Sequence, residues 1–409
     1  MTETPLNWRR NLYLCWVSQL VCILAFSAVF SFLPFYVQEL GVTDPDRVKV
    51  WTGWIATGGS LTMAIVAPIW GGLADRYGRK IMVERAAFGG AVILCLMAFV
   101  NSPTQLLILR TVQGVFTGTI AAFTTLVAST TPPGKEGYTL GLMQVAVFSG
   151  SSGGPLLGGF LADTFGYQAT FLTSSALLIA AGLSVFFFVE EAFTPSENGR
   201  ASVWHQAKSV LGNRLVLVMV ALILMLYFTS NIVRPILPLF VQELQGTTER
   251  LATVTGLIQG GTALTSALAA ALIGRISDRY GHRRVLVVAG LGAAAAYLPM
   301  TFAQSPWYLL AFNILAGMFL GGLLPMSNAL IALNVPPAEQ GATYGLTASA
   351  GAAGRAIAPL MGSFIAVQWG NRALFPVAAA LYTLSALWVG ARIPAGQPKE
   401  PQAETVQAD

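Results

Sequence analysis

The sequence predicts an all-α integral membrane protein: twelve transmembrane helices in two six-helix bundles that repeat one another in parallel. Three observations carry this. Of 409 residues, 55% are hydrophobic and only 10% are charged, against about 25% charged in a soluble domain. Twelve apolar runs of membrane-crossing length follow one another with short polar connections, each near the roughly 20 residues that a bilayer core requires. Short motifs then recur about 203 or 204 residues later, as Asp75-Arg76-Tyr77-Gly78 does at Asp278-Arg279-Tyr280-Gly281.

Taken in order, the first run (11–38) follows Arg9 and Arg10; it is too long for a signal-peptide core and no small-residue cleavage site follows it, so it is read as a retained span. The second (50–73) leads into the charged stretch Asp75–Lys80, and the third (81–100) and fourth (103–128) are separated by Ser102-Pro103. The fifth (138–162) carries Ala146, Gly150, Gly154, Gly158 and Ala162 at every fourth position, a face nearly bare of side chains. The sixth (167–189) closes the first half. Residues 191–213, with Pro195, Ser196, Asn198, Gly199 and several charges, read as a cytoplasmic linker. The seventh to twelfth runs (214–241, 252–275, 284–303, 305–332, 341–367 and 371–392) repeat the series, and 393–409 reads as a flexible tail. The expected units are therefore 1–190, 191–213, 214–392 and 393–409.

The repeat is dense. Leu33-Pro34-Phe35-Tyr36-Val37-Gln38-Glu39-Leu40 returns as Leu237-Pro238-Leu239-Phe240-Val241-Gln242-Glu243-Leu244; Ser102-Pro103 returns as Ser305-Pro306, Gly114 and Gly118 as Gly317 and Gly321, and Pro155 as Pro359. Six spans per half is an even number, so both halves enter from the same side. Arg and Lys set the orientation. Sixteen fall with the termini (Arg9, Arg10, Arg76, Arg79, Lys80, Arg85, Lys135, Arg200, Lys208, Arg214, Arg275, Arg279, Arg283, Arg284, Arg392, Lys399) and four opposite (Arg47, Lys49, Arg250, Arg372). Both termini are expected in the cytoplasm, with the chain in the inner (plasma) membrane. The net charge of +5 lies in short connections rather than on one face, which argues against nucleic acid as a partner. Cys15, Cys22 and Cys95 sit inside apolar runs with neither disulfide nor metal spacing. No cofactor is expected and a single chain is expected to suffice.

Three stretches carry a family likeness. Gly71-Gly72-Leu73-Ala74-Asp75-Arg76-Tyr77-Gly78-Arg79-Lys80 keeps its acid, turn glycine and following cations at Gly274–Arg284. In Arg110-Thr111-Val112-Gln113-Gly114 an intramembrane Arg precedes Gln and Gly by three and four residues, and Gly150-Ser151-Ser152-Gly153-Gly154-Pro155-Leu156-Leu157-Gly158-Gly159 reads GxxxGPxxGG. Together they resemble the major facilitator superfamily, in its twelve-helix drug:proton antiporter branch. The resemblance implies a secondary active transporter, not an enzyme, that exports small amphipathic compounds against protons by alternating access. It implies that the motif Gly150, Gly154, Pro155, Gly158 and Gly159 packs the fifth span on the eighth, with the second on the eleventh. It also implies that the first, fourth, seventh and tenth spans line a cavity, with Phe26, Phe30, Gln113, Thr117, Tyr227, Asn231, Arg234 and Asn313 near substrate; Arg355 is added as an intramembrane cation. Proton coupling is expected at Asp75 with Arg110, supported by Arg79 and Asp278, and secondarily at Glu39. No acid lies midway along a cavity span.

Arg110, Arg234 and Arg355 lie within spans, where a charge costs about 3 kcal/mol to insert. Arg110 repeats as Asn313 and Arg234 as Phe30, so neither is explained by a packing rule common to both halves. Three arginines without deep acids also suit an exporter of an organic anion or sugar-like metabolite. A lipid scramblase or a sensor on a transporter scaffold is the expectation from another class. The sequence carries no GxxxxGK[ST] nucleotide loop, so the expected energy source is a gradient.

Overall fold

The computed structural model describes residues 7–191, 193, 214–247, 249–335 and 337–392, without the side chains of Asp75, Pro337, Ala338 and Gly341. The linker expected at 191–213, apart from Glu191 and Phe193, and the tail at 393–409 lie outside the described residues.

The first span is α1 (Trp8–Phe30) and α2 (Leu33–Glu39), the second α3 (Pro45–Tyr77), and the third α4 (Arg79–Met97). The fourth is α5 (Pro103–Phe116) and α6 (Thr119–Thr130). The fifth and sixth run together in α7 (Glu136–Phe188), divided at Gly166, whose φ of 86° is non-helical. The seventh is α8 (Arg214–Ile232) and α9 (Leu237–Gln245), followed by α10 (Leu251–Tyr280), α11 (His282–Met300), α12 (Pro306–Asn334), α13 (Pro337–Trp369) and α14 (Leu374–Arg392). Among the described residues, ten helices are long and apolar enough to cross a membrane. Counting α7 twice and adding α4, whose first turns carry Lys80, Glu84 and Arg85, gives the twelve spans.

The repeat decides where helices stop. Ser102 and Ser305 each accept a bond at an N-terminus, from Gln105 N at 3.3 Å and Tyr308 N at 3.2 Å, with Pro next in the chain. Gly78 and Gly281, and Gly166 and Gly370, hold matching positive φ at the tight turns. The first and seventh spans both break just before a proline: Pro34 and Pro238 sit in the first turn of α2 and α9, where a residue without an N–H is tolerated.

The halves meet along two seams near the face opposite the termini. Gly53 faces Pro359 and Ser363 of the eleventh span, and its repeat mate Gly256 faces Pro155 and Leu156 of the fifth. Among the described residues, three polar links between the halves seal that face. Gln38 and Gln242, mates in the repeat, exchange amide bonds at 2.9 and 3.2 Å. Asp163, at the end of the fifth span, accepts from Ala252 N at 3.2 Å and Thr253 N at 2.7 Å, where a helix N-terminus favours negative charge. Lys49 donates to the carbonyl of Ala366 at 3.2 Å, the converse pairing at a helix C-terminus. At the terminal face the same spans stand apart: a side chain added at Gly71, Gly137, Gly141, Gly274 or Gly345 would meet nothing within 4 Å. The cavity is thus open at the face of the termini and closed opposite.

The small-residue stripe serves a different contact from the one expected. Gly150, Gly154 and Gly158 lie against Leu20, Ile23, Leu24, Ser27 and Ala28 of the first span, inside their own half. The eighth span is met by the neighbouring edge, Ser152, Pro155, Leu156 and Gly159. Gly354 and Gly362 likewise face the seventh span. A helix has several faces, and the four-residue spacing marks a bare one without naming its partner.

Candidate functional site

The breaks in the first and seventh spans put Phe30 and Arg234 at the closed end of the cavity. Phe30 is the last residue of α1 and Arg234 lies between α8 and α9. They are repeat mates 204 residues apart, and the Arg234 guanidinium carbon lies 5.4 Å from the Phe30 ring centroid. Mates in a two-fold repeat can touch only beside its axis, which therefore passes here and between Gln38 and Gln242.

Arg110 reaches the same ring from α5, at 4.2 Å, and is 8% exposed. Gly59 makes room for its stem. The guanidinium donates to Gln113, one turn on, while its Nε is buried without a partner. Sharing one ring leaves the two guanidinium carbons at most 9.6 Å apart. Two unit charges at that separation repel by about 2 kcal/mol at an effective dielectric of 20, and cation–π contact returns only about 0.5–2 kcal/mol each. Neither arginine forms a salt bridge among the described residues.

Two turns along the seventh span, Tyr227 carries Arg355 of the eleventh over its ring at 4.3 Å. Asn231 lies between, donating to the carbonyl of Tyr227 at 2.8 Å. Residues 227 and 231 share one face of α8 and Arg234 follows just past its end, so the arginines form two cationic steps along the seventh span, one at the closed end and one nearer the opening.

Other expected site residues lie elsewhere. Phe26, one turn before Phe30, turns into the first half against Gly90 and Leu178. Asn313 is buried in the second half, donating to the Leu309 carbonyl at 2.9 Å, with Met300 and Thr262 beside it. Thr117 marks the break between α5 and α6, its hydroxyl on the Gly114 carbonyl. Asp75 and Arg110 are not neighbours: Arg110 packs on Gly59, sixteen residues before Asp75 in α3, or about 24 Å of helix. The side chain of Asp75 itself lies outside the described residues. Arg79 lies at the terminal face, where Arg79 N and Lys80 N donate to Glu191 at 2.9 and 2.8 Å. Asp278, 76% exposed, meets His282 at 3.8 Å. Glu39 is exposed at the far face.

Arg85 was missed as a membrane residue because it sits close to the loop cations. It lies in α4 and donates to the Thr117 carbonyl at 3.2 Å, stacked 3.7 Å over Trp70, whose Nε1 donates to the Val115 carbonyl at 2.7 Å. Asp163 and Glu191 were likewise missed; an acid just before a helix start in space, rather than in sequence, has no local signature.

Similarity to known proteins agrees with this architecture. The Major Facilitator Superfamily model matches residues 15–255 and 219–408. The multidrug resistance protein MdtG of Salmonella arizonae is 35% identical over 388 residues, 95% of this chain and 96% of its own. Among solved structures, a bacterial homologue of the human lysosomal transporter Spinster, inward-facing and occupied, superposes with a TM-score of 0.78 at 12% identity, over 93% of this chain and 95% of its own. A D-xylose–proton symporter superposes with a TM-score of 0.76 at 14% identity, over 96% and 100%. The chain belongs to the major facilitator superfamily.

Proposed function

We propose that the protein exports small amphipathic compounds, drugs among them, from the cytoplasm in exchange for protons. The observation that carries this is the pairing of a cavity open at one face with a far-face seal made of few, separable polar links. Opening involves loss of the Gln38–Gln242 pair, the Asp163 cap, the Lys49 link and the Arg234–Phe30 contact, while the seams at Gly53 and Gly256 are where the halves pivot. The pivoting units are residues 1–190 and 214–392. The excess of Lys and Arg at the face of the termini supports a cytoplasmic placement of that face, from which the cavity would load from inside. The likeness to MdtG proteins, described as multidrug resistance proteins, supports the export of drugs.

The test is uptake into everted vesicles of a panel of amphipathic cations, anions and neutral compounds, with and without a proton gradient. Uptake of panel members that collapses on adding a protonophore is expected. Gradient-independent movement of lipid with no solute uptake would contradict the proposal and favour a scramblase.

A further inference from the structure

We infer that the closed end of the cavity is an oxyanion site, and that the preferred cargo is an organic anion with an apolar body. The inference rests on the export reading only in making that ligand a cargo; the site itself stands on geometry. Arg110 and Arg234 share the ring of Phe30 at 4.2 and 5.4 Å, and no salt bridge to either occurs among the described residues. Arg110 is nearly fully buried, is held in place by Gln113 and keeps its Nε unpartnered. Arg234 is exposed, and two cations that share one ring repel one another until something negative lies between them. A carboxylate, sulfonate or phosphonate supplies that charge, with acceptor oxygens matched to the guanidinium fork. Arg355 over Tyr227, nearer the opening, gives an entering anion an earlier cationic step. The rings of Phe30 and Tyr227 offer contact to an apolar body, which inorganic anions lack.

The test uses two probes with one apolar body and opposite charge, 4-phenylbutyrate and 4-phenylbutylamine. Each is titrated calorimetrically at neutral pH into the full-length protein in lipid nanodiscs. The carboxylate is expected to bind at least about tenfold more tightly than the amine. Arg234→Gln is expected to weaken carboxylate binding about tenfold or more, as for a lost charge-assisted bond. Arg234→Lys, which keeps the charge, is expected to retain most of the binding. Equal or tighter binding of the amine to the unmodified protein would overturn the site without reference to any variant. So would carboxylate binding that is unchanged in a correctly folded Arg234→Gln protein. Uptake in everted vesicles separates the two readings: anion-selective binding without gradient-driven flux refutes export and keeps the site, whereas proton-driven flux of amines with no anion preference refutes the site and keeps export.

Discussion

The fourth and tenth spans begin alike and then diverge. Gly114 packs beside the Gly59 carbonyl, and its mate Gly317 packs beside the Thr262 carbonyl. One turn later Gly118 takes φ 111° and the fourth span breaks between Phe116 and Thr119, while its mate Gly321 lies inside an unbroken helix, Pro306–Asn334. Carbonyls freed within a membrane must find donors inside the protein. Here Trp70 takes the carbonyl of Val115 and Arg85 that of Thr117. The positions 203 residues later are Ile273 and Val288, which donate nothing, and Ile273 instead fills the space beside Gly322. The lesson is that the break and its donors occur together. A two-fold scaffold carries a one-sided site, with Arg110 reaching the axis in one half and Asn313 buried away from it in the other.

The largest expected effect breaks the comparison at those mates. Arg110→Gln should reduce proton-driven export about a hundredfold, because it removes both the buried charge and its place at the shared ring. Asn313→Ala should leave export within about threefold, since Asn313 serves packing. Next, Arg85→Leu should lower export about tenfold and also the melting temperature, by stranding the Thr117 carbonyl; Trp70→Phe should do the same more mildly. Val288→Leu, at the mate of Arg85, should change neither.

The two glycines sharpen the contrast. Gly118 needs its positive φ and has room, with Arg85 Nη2 the nearest atom at 3.9 Å to an added Cβ, whereas Gly321 needs space against the Ser266 carbonyl. Gly118→Ala should therefore cost about 1–2 kcal/mol, and Gly118→Asn less, because Asn tolerates that conformation. At Gly321 the order should reverse, with Asn worse than Ala. Thermal unfolding in detergent checks all four variants.

The smallest effect is expected at the far-face seal. Asp163→Asn keeps an acceptor near Ala252 and Thr253 but removes a charge at a helix N-terminus, worth about 0.3–1 kcal/mol. Labelling of a single cysteine placed at Leu239, which lines the far-face groove of about 550 Å³, should rise about two- to fivefold.

The spans, the repeat and the three deep arginines were legible in the sequence, because hydropathy, offset and charge are local or periodic quantities. Which way a side chain points is not. Phe26 and Phe30 are one turn apart in an evenly apolar helix, yet one packs on Gly90 and the other meets two arginines. The bare stripe of the fifth span announced close packing but not that the first span fills it. The break at Thr117 was hidden because Gly118 repeats as Gly321, and only the differing neighbours Trp70 and Arg85 separate the two. The contacts on the axis could have been found: Phe30 with Arg234 and Gln38 with Gln242 each share the offset of 204, and paired offsets on cavity spans are where mates can meet.

The most direct test of a one-sided site in a two-sided fold is proton-driven uptake in everted vesicles carrying equal amounts of the unmodified, Arg110→Gln and Asn313→Ala proteins. The account predicts loss in the first variant and near-normal uptake in the second. Equal activity of the two variants would contradict it.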